Sequence, residues 1–598
     1  MTQTTRTTPT TPSTTSPNGA HAEEVEPQVV NEGDVVTGAE ILLECLRREG
    51  VDTIFGYPGG ANLWIYRHLP KFPDLHHILA RHEQGATHMA DGYARAKRGS
   101  VGVVFATSGP GALNCVTGIA TAQYDSVPLV VITGQVATVA VGTDAFQESD
   151  VIGVTMPIVK HSYLVQDVES LSRTVREAFH IARTGRPGVV VIDLPKDIQN
   201  TKHAFSWPPD PIRLRSYNPT IRGNPLQIRR AAQLINDAKR PVILAGRGVL
   251  ISRAEDELLQ LSRRASIPVG WTLLGTGAYP VGDELSLHMV GFMGAGFTNK
   301  AVLGCDLLMM VGMRADDRVT TKIDSFAPQV ENIIHIDIDP AEIGKNVVPT
   351  LPIVGDARQV LGEIAKLVEP RRLDNWITQI DRWKEEHPLR YRRNTGVLQP
   401  QDVLIEMFKR CDSDAIVVAD VGQNQIWGAL WWDYRTSGLF LNSGGAGTMG
   451  FAFPASLGVR RARPDKKVWC IAGEGGFVMT MQELATAVEQ NLDVKVVILN
   501  NFCLGMVRQF QDDYYEGVRS AVDLRVSPDF VKLADAFGIA GFRTDRIEEV
   551  PDILKRMDEH QGPCIGEFII DPEANVRPIV PLGAGLPDFV EEIIEEGF

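Results

Sequence analysis

The run Val468-Trp-Cys-Ile-Ala-Gly-Glu-Gly-Gly476 joins a continuous apolar stretch to a glycine-rich turn, and a helical pattern begins at Met479. An unbroken apolar stretch of this length is typical of a strand that is buried on both faces, as in parallel sheets covered by helices. Strand, turn and helix together predict a βα unit. In such units, ligands bind at the carboxyl end of the strand.

Similar apolar runs alternate with helical patterns along almost the whole chain. This alternation predicts parallel sheets with helices on both faces. The predicted fold class is therefore α/β, with three doubly wound parallel-sheet domains. The nine predicted strands are 101–105, 129–133, 189–193, 241–245, 307–311, 333–337, 415–419, 468–472 and 494–499.

Chain length and two irregular stretches suggest the domain boundaries. At roughly 100–200 residues per domain, 598 residues are too many for one core. Residues 206–225 are rich in proline and residues 370–400 in charge and proline, so we interpret both as linkers. The expected parts are a disordered Thr/Ser/Pro-rich tail (1–36), three domains (37–210, 226–368 and 400–575) and a C-terminal tail (576–598).

Composition and charge exclude several classes of protein. The chain is 44% apolar and 22% charged, as expected of a folded globular protein. Its net charge of −15 argues against nucleic acid or an anionic membrane as a partner. No apolar run reaches the roughly 18 residues of a membrane span. The seven cysteines are scattered without a CxxC pair, which favours reduced thiols in a cytoplasmic protein over a disulfide framework or a zinc site.

The turn after residue 472 carries residue types that suit a phosphate and a divalent metal ion. Glycines let the main chain approach a phosphate closely, and the start of a helix favours anions. Mg²⁺ prefers near-octahedral oxygen ligands. Glu474 and the Asn501 amide can supply two, and a main-chain carbonyl near Cys503 can supply another. A glycine turn alone is more often only a tight turn, but this combination predicts a diphosphate and metal site.

A second candidate residue lies far upstream. Glu83 follows the strand-like run 78–80 and precedes a helical pattern, so it is expected at a strand end, where α/β ligand sites lie. A lone glutamate at a helix start usually makes only a favourable contact with the helix dipole. Its occurrence together with the diphosphate motif favours a catalytic role.

Many further stretches match one family. They include 55–60 (Phe-Gly-Tyr-Pro-Gly-Gly), 81–86, 106–112, 142–148, 314–319 (Arg-Ala-Asp-Asp-Arg-Val) and 443–450 (Ser-Gly-Gly-Ala-Gly-Thr-Met-Gly). Over about residues 37–585 the chain resembles the thiamine-diphosphate-dependent decarboxylases, and among them the acetolactate synthase (acetohydroxyacid synthase) catalytic subunits. The resemblance implies a pyrimidine-binding, a central FAD-binding and a diphosphate-binding domain.

The resemblance also implies roles for individual residues at the cofactor. In this family a glutamate that bonds the pyrimidine N1′ favours the imino tautomer that activates thiamine diphosphate, and Glu83 matches it. Met449 would wedge between the two cofactor rings, and Gln147, which matches a position lining the substrate channel, is the third implied catalytic residue. In a homodimer or homotetramer, Glu83 would serve a cofactor bound by the partner subunit. The implied thiamine-diphosphate residues are Gly422, Gln423, Asn424, Gly447, Met449, Gly475, Gly476, Gly505 and Met506, with Mg²⁺ held by Glu474, Asn501 and Cys503.

Two further sites follow from the same resemblance. Anabolic members bind FAD in the central domain, and the matching residues are Arg186, Gly246, Gly248, Thr272, Arg314, Asp316, Asp337 and Asp356. Arg318 would bind the carboxylate of a small 2-oxo acid bidentately. Phe146, Lys196 and Phe510 would line the substrate channel. A small regulatory subunit is the implied protein partner.

The chain departs from the family pattern in five places. Glu474 replaces the usual aspartate, Asn424 and Met293 each replace a histidine, and residues 502–503 also differ. Phe510 replaces a tryptophan that shapes the pocket for the second substrate and for herbicides. We therefore expect weaker selectivity for 2-oxobutanoate and intrinsic tolerance to sulfonylurea-type inhibitors.

The leading hypothesis is an acetolactate synthase of branched-chain amino-acid biosynthesis. It would decarboxylate pyruvate on thiamine diphosphate and condense the hydroxyethyl carbanion with pyruvate or 2-oxobutanoate. One alternative is a related carboligase, lyase or decarboxylase acting on another 2-oxo acid, which a substrate panel would distinguish. Glyoxylate carboligase is disfavoured because that relative lacks the glutamate found at Glu83. Another alternative is a catalytically silent scaffold paralogue, whose biological effect would survive Glu83→Gln.

Overall fold

The computed structural model describes residues 27–393, 396–411, 414–431 and 440–592. It contains three six-stranded parallel sheets, one in each expected domain. The predicted α/β class with three doubly wound parallel-sheet domains is confirmed. None of the helices in these ranges is both long and apolar enough to cross a membrane.

The N-terminal domain is built on the first of these sheets. Its strands are β1 (Val35–Thr37), β2 (Thr53–Gly56), β3 (His76–Leu79), β4 (Gly102–Ala106), β5 (Leu129–Gln135), β6 (His161–Leu164), β7 (Val189–Pro195) and β8 (Lys202–Ala204). Its helices are α1 (Gly38–Arg48), α2 (Leu63–His68), α3 (Glu83–Ala96), α4 (Pro110–Asn114), α5 (Val116–Tyr124), α6 (Val151–Thr155), α7 (Leu171–Arg183) and α8 (Lys196–Asn200). The sheet order is β3-β2-β4-β5-β7-β6, and β1 pairs with β8 in a separate antiparallel ribbon.

The central domain repeats this architecture. Its strands are β9 (Pro241–Ala245), β10 (Val269–Trp271), β11 (Ser286–Met289), β12 (Leu307–Val311), β13 (Asn332–Asp337) and β14 (Leu351–Val354). Its helices are α9 (Pro225–Asp237), α10 (Arg247–Ser252), α11 (Glu255–Ala265), α12 (Gly296–Gly304), α13 (Asp317–Thr320) and α14 (Ala357–Leu367), followed by α15 (Asp374–Glu386). The sheet order is β11-β10-β9-β12-β13-β14.

The C-terminal domain carries the third sheet. Its strands are β15 (Ile416–Ala419), β16 (Phe440–Asn442), β17 (Val468–Gly473), β18 (Val494–Asn500), β19 (Ala540–Thr544) and β20 (Cys564–Ile569). Its helices are α16 (Pro400–Arg410), α17 (Gln423–Trp431), α18 (Ala452–Ala462), α19 (Glu474–Val478), α20 (Leu484–Glu489), α21 (Gly505–Tyr514), α22 (Phe530–Ala536) and α23 (Val550–Glu559). The sheet order is β16-β15-β17-β18-β20-β19.

All nine strands predicted from apolar runs are present, and each lies in the interior of its sheet. Interior strands are covered on both faces, which is why their sequences read as unbroken apolar runs. The six edge strands carry weaker signals. For example, β19 (Ala-Gly-Phe-Arg-Thr) is only partly buried along most of its length. Among the edge strands, the sequence indicated only β3, through the run before Glu83.

The expected linkers and tails are partly structured. Much of the stretch 370–400 forms α15, because Trp376 and Ile380 are buried on one face of that helix. Residues 1–26 and 593–598 lie outside the described residues. The end of the expected N-terminal tail packs on the first domain, with Val30 buried. Residues 576–592 pack on the central domain, where the Val580 N–H donates to the Phe292 carbonyl at 2.8 Å.

The N- and C-terminal domains meet along α3 and α18. Gly92 faces Ala455, and a Cβ at Gly92 would lie 2.0 Å from the Ala455 carbonyl oxygen. Gly458 faces Met89 in the same way, with a corresponding distance of 1.8 Å to the Met89 carbonyl oxygen. Only glycine allows the two main chains to approach this closely. The crossing fixes α3, and with it Glu83, relative to the C-terminal domain of the same chain.

Candidate active site

Two adjoining cavities lie at the carboxyl ends of the strands. The larger has a volume of about 660 Å³ and is lined by all three domains. The smaller, of about 60 Å³, lies within the C-terminal domain around the turn 473–476. Gly422, Met449 and Met506 line both cavities, so the two spaces meet at these residues.

The smaller cavity collects most of the residues predicted to bind thiamine diphosphate and metal. Gly447 is the exception, since it lines only the larger cavity. The predicted residues on the wall of the smaller cavity are Gly422, Gln423, Asn424, Met449, Glu474, Gly475, Gly476, Asn501, Cys503, Gly505 and Met506. Strands β17 and β18 position the two metal candidates, because Glu474 directly follows β17 and Asn501 directly follows β18.

The glycine-rich turn differs in one respect from the sequence-based prediction. A helix was predicted from Met479, but α19 already begins at Glu474 and α20 follows from Leu484. Gly476 lies against a buried carboxylate, and a Cβ there would be 2.3 Å from Asp420 Oδ2. Burial raises the pKa of Asp420 to about 6. Its carboxylate accepts the main-chain N–H of Gly450, which fixes the segment after Met449.

Glu474 and Asn501 suit a small, hard cation. Glu474 is 1% exposed, and its Oε1 has no hydrogen-bond partner. Burial raises the pKa of this carboxyl to about 7, which a nearby cation would reverse. No three His, Cys, Asp or Glu side chains converge as a metal site in the described ranges. The donor set of one carboxylate, one amide and a main-chain carbonyl at Cys503 therefore fits Mg²⁺ that takes its remaining ligands from phosphate and water.

Gln423 fixes the orientation of the Asn501 amide. Asn501 Nδ2 donates to Gln423 Oε1 at 3.2 Å, so the Asn501 oxygen points away from Gln423. Gln423 Nε2 donates to Gln509 Oε1 and to the Ala574 carbonyl, at 2.9 Å each. Gly505 closes this cluster, because a Cβ there would lie 2.1 Å from Gln423 Oε1. Gln423 thus positions a metal candidate as well as lining the cavity.

Asn424, one of the departures from the family pattern, is held by a hydrogen bond to the main chain. Its Nδ2 donates at 2.7 Å to the carbonyl of Asp420, which lies between β15 and α17. Its Oδ1 lies beside Gly422, whose φ is +140°. The amide oxygen rather than the amide nitrogen therefore faces the glycine turn of the smaller cavity.

Seven of the eight residues predicted for FAD line the larger cavity: Arg186, Gly248, Thr272, Arg314, Asp316, Asp337 and Asp356. The eighth, Gly246, does not line this cavity and packs against Gly312, where a Cβ would lie 2.3 Å from the Gly312 carbonyl oxygen. Met293, a departure from the family pattern, is also on the wall.

Buried carboxylates contribute to the wall of this cavity. Asp316 Oδ1 is buried without a partner, and burial raises the pKa of Asp337 to about 7. Arg186 forms ion pairs with Asp339 and Glu342 at 3.2 and 2.8 Å, and these contacts fix its side chain on the cavity wall.

Arg247 was missed in the sequence, although it lies between the two glycines singled out there. It lines the larger cavity, and its buried Nε has no hydrogen-bond partner. Burial, and then the nearby Arg95, lower the pKa of Arg247 to about 9. The sequence could have indicated Arg247, because it lies between two glycines at the end of a strand. A cationic side chain at this position is expected to extend into the ligand cavity.

Two of the four predicted substrate residues lie together in the larger cavity. Arg318 stacks on Phe292, with its guanidinium carbon 4.9 Å from the ring centroid, and Phe292 meets Phe510 edge-on at 6.2 Å. The Arg318 side chain is 60% exposed, and its nearest carboxylate contact, Asp317, is 3.9 Å away. The guanidinium is therefore available to an anionic ligand near Phe510.

The remaining predicted residues lie in the N-terminal domain and line neither cavity of this chain. Phe146, Gln147 and Lys196 are exposed, with Phe146 at 87%. Glu83 is 8% exposed, and its Oε2 accepts a hydrogen bond from Asn114 Nδ2 at 3.0 Å. Asn114, which the sequence did not single out, thus orients this carboxylate.

Glu83 and Gln147 nevertheless share one end of the first sheet. The loop after β4 separates them, because a Cβ at Gly111 would be 3.0 Å from Glu83 Oε1 and one at Gly109 would be 2.7 Å from the Gln147 carbonyl oxygen. Gly109 has φ +58°, which favours glycine at that position.

Comparison with known proteins identifies the three domains. Residues 36–154 match the thiamine pyrophosphate enzyme N-terminal TPP-binding domain, residues 228–364 the central domain, and residues 420–568 the C-terminal TPP-binding domain. These matches agree with the three sheets.

Full-length relatives cover most of the chain. The acetolactate synthase large subunit of Haemophilus influenzae is 41% identical over 563 residues, covering 93% of this chain and 98% of its own. The probable large subunit of Methanocaldococcus jannaschii is 47% identical over 567 residues, covering 93% and 95%. The large subunit of Corynebacterium glutamicum is 44% identical over 564 residues, covering 92% and 90%. This chain therefore belongs to the acetolactate synthase large-subunit family of thiamine pyrophosphate enzymes.

Proposed function

We propose that this protein is the catalytic subunit of an acetolactate synthase. It forms 2-acetolactate from two pyruvates, or 2-aceto-2-hydroxybutanoate from pyruvate and 2-oxobutanoate, with release of CO₂, in branched-chain amino-acid biosynthesis. The observation that carries the proposal is the buried, unpartnered Glu474 oxygen, which lies on the wall of the smaller cavity with Met449, where that cavity adjoins the larger one.

The cofactors are thiamine diphosphate and Mg²⁺. Bound thiamine diphosphate supplies a nucleophilic carbon that adds to the 2-oxo acid and holds the electron pair left by CO₂. Glu474, Asn501 and the main-chain carbonyl at Cys503 hold Mg²⁺ against the diphosphate. The side chain of Met449, at the junction of the cavities, would contact the bound cofactor.

Glu83 acts in a site formed between two chains. Its carboxyl lies in neither cavity of its own chain, while Phe146 and Gln147 at the same end of the domain are exposed. A homodimer or homotetramer brings this face to the cavities of a partner subunit. There Glu83 holds a proton at the pyrimidine of the cofactor, oriented by Asn114. A small regulatory subunit is a further expected partner, as the name "large subunit" of the relatives suggests.

FAD occupies the larger cavity with a structural role. The volume of about 660 Å³, the unpartnered Asp316 oxygen and the cations on the wall support this assignment. The 2-oxo acid enters beside Phe510, where Arg318 binds its carboxylate, and Gln147 and Lys196 of the partner complete the channel. The buried cysteine thiols of β-sheet and helix cores fit a cytoplasmic location.

Product analysis tests the proposal. The purified protein is incubated with thiamine diphosphate, Mg²⁺, FAD and pyruvate, with and without 2-oxobutanoate, and the products are identified. Acetolactate is the expected product. Release of CO₂ without acetolactate would point to a decarboxylase or another carboligase. If neither CO₂ nor acetolactate forms, the proposal is contradicted for these substrates.

A further inference from the structure

A buried charge cluster of the N-terminal domain forms hydrogen bonds with the main chain that precedes Met449. Its members are Asp91 and Arg95 on α3 and Asp125 after α5, and their side chains are at most 2% exposed. Arg95 Nη2 donates to Asp125 Oδ2 at 2.9 Å and to Asp91 Oδ2 at 3.0 Å. The cluster is therefore a fixed, desolvated unit rather than a solvated surface pair.

The cluster contacts the C-terminal domain at two main-chain groups. Asp125 Oδ1 accepts the Gly445 N–H at 2.7 Å, and Arg95 Nη1 donates to the Asn442 carbonyl at 2.7 Å. These two groups lie on either side of the start of the segment 443–449, which we call the Met449 loop. Bonds of this kind, with one ionised partner, are about twice as strong as neutral ones.

Two hydrogen bonds within its own domain support the Met449 loop: the Thr448 N–H donates to Ser443 Oγ and Gln425 Nε2 donates to the Ser443 carbonyl, at 3.1 Å each. Three of its seven residues are glycines, and Gly447 has φ +67°. Such a segment loses much conformational entropy when it is ordered. Its far end has one further tie to the N-terminal domain, a 2.7 Å hydrogen bond between the Thr121 and Thr448 hydroxyls.

We propose that Arg95 and Asp125, supported by Asp91 and Thr121, are positioning residues that hold the Met449 loop so that Met449 can contact bound thiamine diphosphate. The proposal rests on the proposed function, in which Met449 contacts that cofactor. The positioning role extends the proposed function, because α3 then contributes to two active sites. Glu83 at its first residue enters the partner's site, and Arg95 near its last residue braces the diphosphate site of its own chain.

The rate of C2 proton exchange in bound thiamine diphosphate tests the bracing role. Asp125→Ala removes the acceptor for Gly445 but leaves Glu474 and Asn501 intact. We expect exchange, measured by acid quench and NMR, to slow by about 10²-fold, as for other small misplacements of a reacting group. Thiamine-diphosphate affinity at saturating Mg²⁺ should change much less. Asp125→Asn, which keeps an acceptor oxygen, should recover much of the rate.

Asp306→Ala is the matched control. Asp306 is also buried and accepts two main-chain N–H groups, of Lys239 and Arg240, but it lies outside both cavities. Its exchange rate should equal that of the wild type. An unchanged rate in Asp125→Ala, or an equal loss in Asp306→Ala, would overturn the proposal. If Asp125→Ala does not fold, Thr121→Val, which removes the hydroxyl bonded to Thr448, is compared with Asp306→Ala instead, and equal exchange rates in these two variants would overturn the proposal.

Mixed oligomers test the link between two sites. Chains carrying Glu83→Gln and Asp125→Ala, with different tags, are co-expressed and the mixed species is purified. One of its two sites then combines an intact Glu83 with an intact Met449 loop, so about half of the wild-type turnover should return. If exchange is slow in Asp125→Ala but the mixed species does not recover turnover, the positioning role of Asp125 stands, and the proposed site between two chains is rejected. Normal exchange would reject the brace whatever the mixed species does.

Discussion

The main-chain N–H of Arg81 donates to both carboxylate oxygens of Glu483, at 3.0 Å each. This bond ties the start of α3 to the C-terminal domain of the same chain, two residues before Glu83. A Cβ at Gly85 would lie 2.3 Å from Glu483 Oε1, so the fit is close on both sides of Glu83. Glu83 itself is left bonded to Asn114, facing away from its own diphosphate site.

Glu83→Gln should nearly abolish turnover. The amide keeps the size of the side chain and its contact with Asn114, but it cannot share a proton with the cofactor pyrimidine. A loss of about 10²–10⁴-fold in kcat is expected for removal of an acid–base group. The measurement is kcat for acetolactate formation at saturating thiamine diphosphate. Glu489→Gln, at the exposed ion pair with Arg81, is the control, and equal activity of both variants would contradict the role of Glu83.

Glu474→Gln should weaken the Mg²⁺-dependent binding of thiamine diphosphate by about 10²-fold, since it removes the charged member of the donor set. Glu474→Asp, the residue usual in the family, should remain within about tenfold of the wild type, because a shorter carboxylate still carries the charge. Binding is followed by intrinsic fluorescence at several Mg²⁺ concentrations. Wild-type binding by Glu474→Gln would exclude this carboxylate as a ligand.

Phe510→Trp should raise the preference for 2-oxobutanoate over pyruvate. Phe510 meets Phe292 edge-on in the larger cavity, and a wider ring there adds apolar contact for the extra methyl group of 2-oxobutanoate. A pocket contact of this size changes selectivity by about 10–200-fold. The product ratio in a competition assay with both 2-oxo acids measures the effect. A strong preference already present in the wild type would contradict the prediction.

Arg247→Ala should weaken FAD binding by about tenfold or more, because the loss of a charged partner of a phosphate costs about 1.5–3 kcal/mol. Arg247→Lys should bind more tightly than Arg247→Ala, since it keeps the charge but not the planar fork. Flavin fluorescence gives the dissociation constants, and Arg358→Ala, at an exposed ion pair of the same domain, is the control. Unchanged affinity in Arg247→Ala would place its guanidinium outside the flavin site.

Asp193 should make stability depend on pH. Burial raises the pKa of Asp193 from its ordinary value of 3.8 to about 7, although Thr133 and Gln135 donate to it. Between these two values the folded protein binds a proton that the unfolded chain has lost, so its stability falls as pH rises, by up to about 1.4 kcal/mol per pH unit. Asp193→Asn lacks this loss. Its melting temperature relative to the wild type should therefore increase from pH 4 to pH 7, and a constant difference would contradict the assignment.

The sequence by itself determined the α/β class, nine of the twelve interior strands and the grouping of the diphosphate residues. These interior strands are buried on both faces, so their consecutive residues are apolar and can be recognised in the sequence. Glu474 and Asn501 could be paired because each follows such a strand, and parallel strands end at the same edge of a sheet. The edge strands, with their mixed polarity, could not be read in this way.

Only the tertiary structure decided which residues meet across domains. It separated Gly246 from the cavity wall, added Arg247, and placed Glu83, Phe146, Gln147 and Lys196 away from both cavities of their own chain. It also joined Asp125 to Gly445, residues that are 320 positions apart. Such contacts depend on how whole domains pack, through close approaches like that of Gly92 and Ala455, and no periodicity within a segment records them.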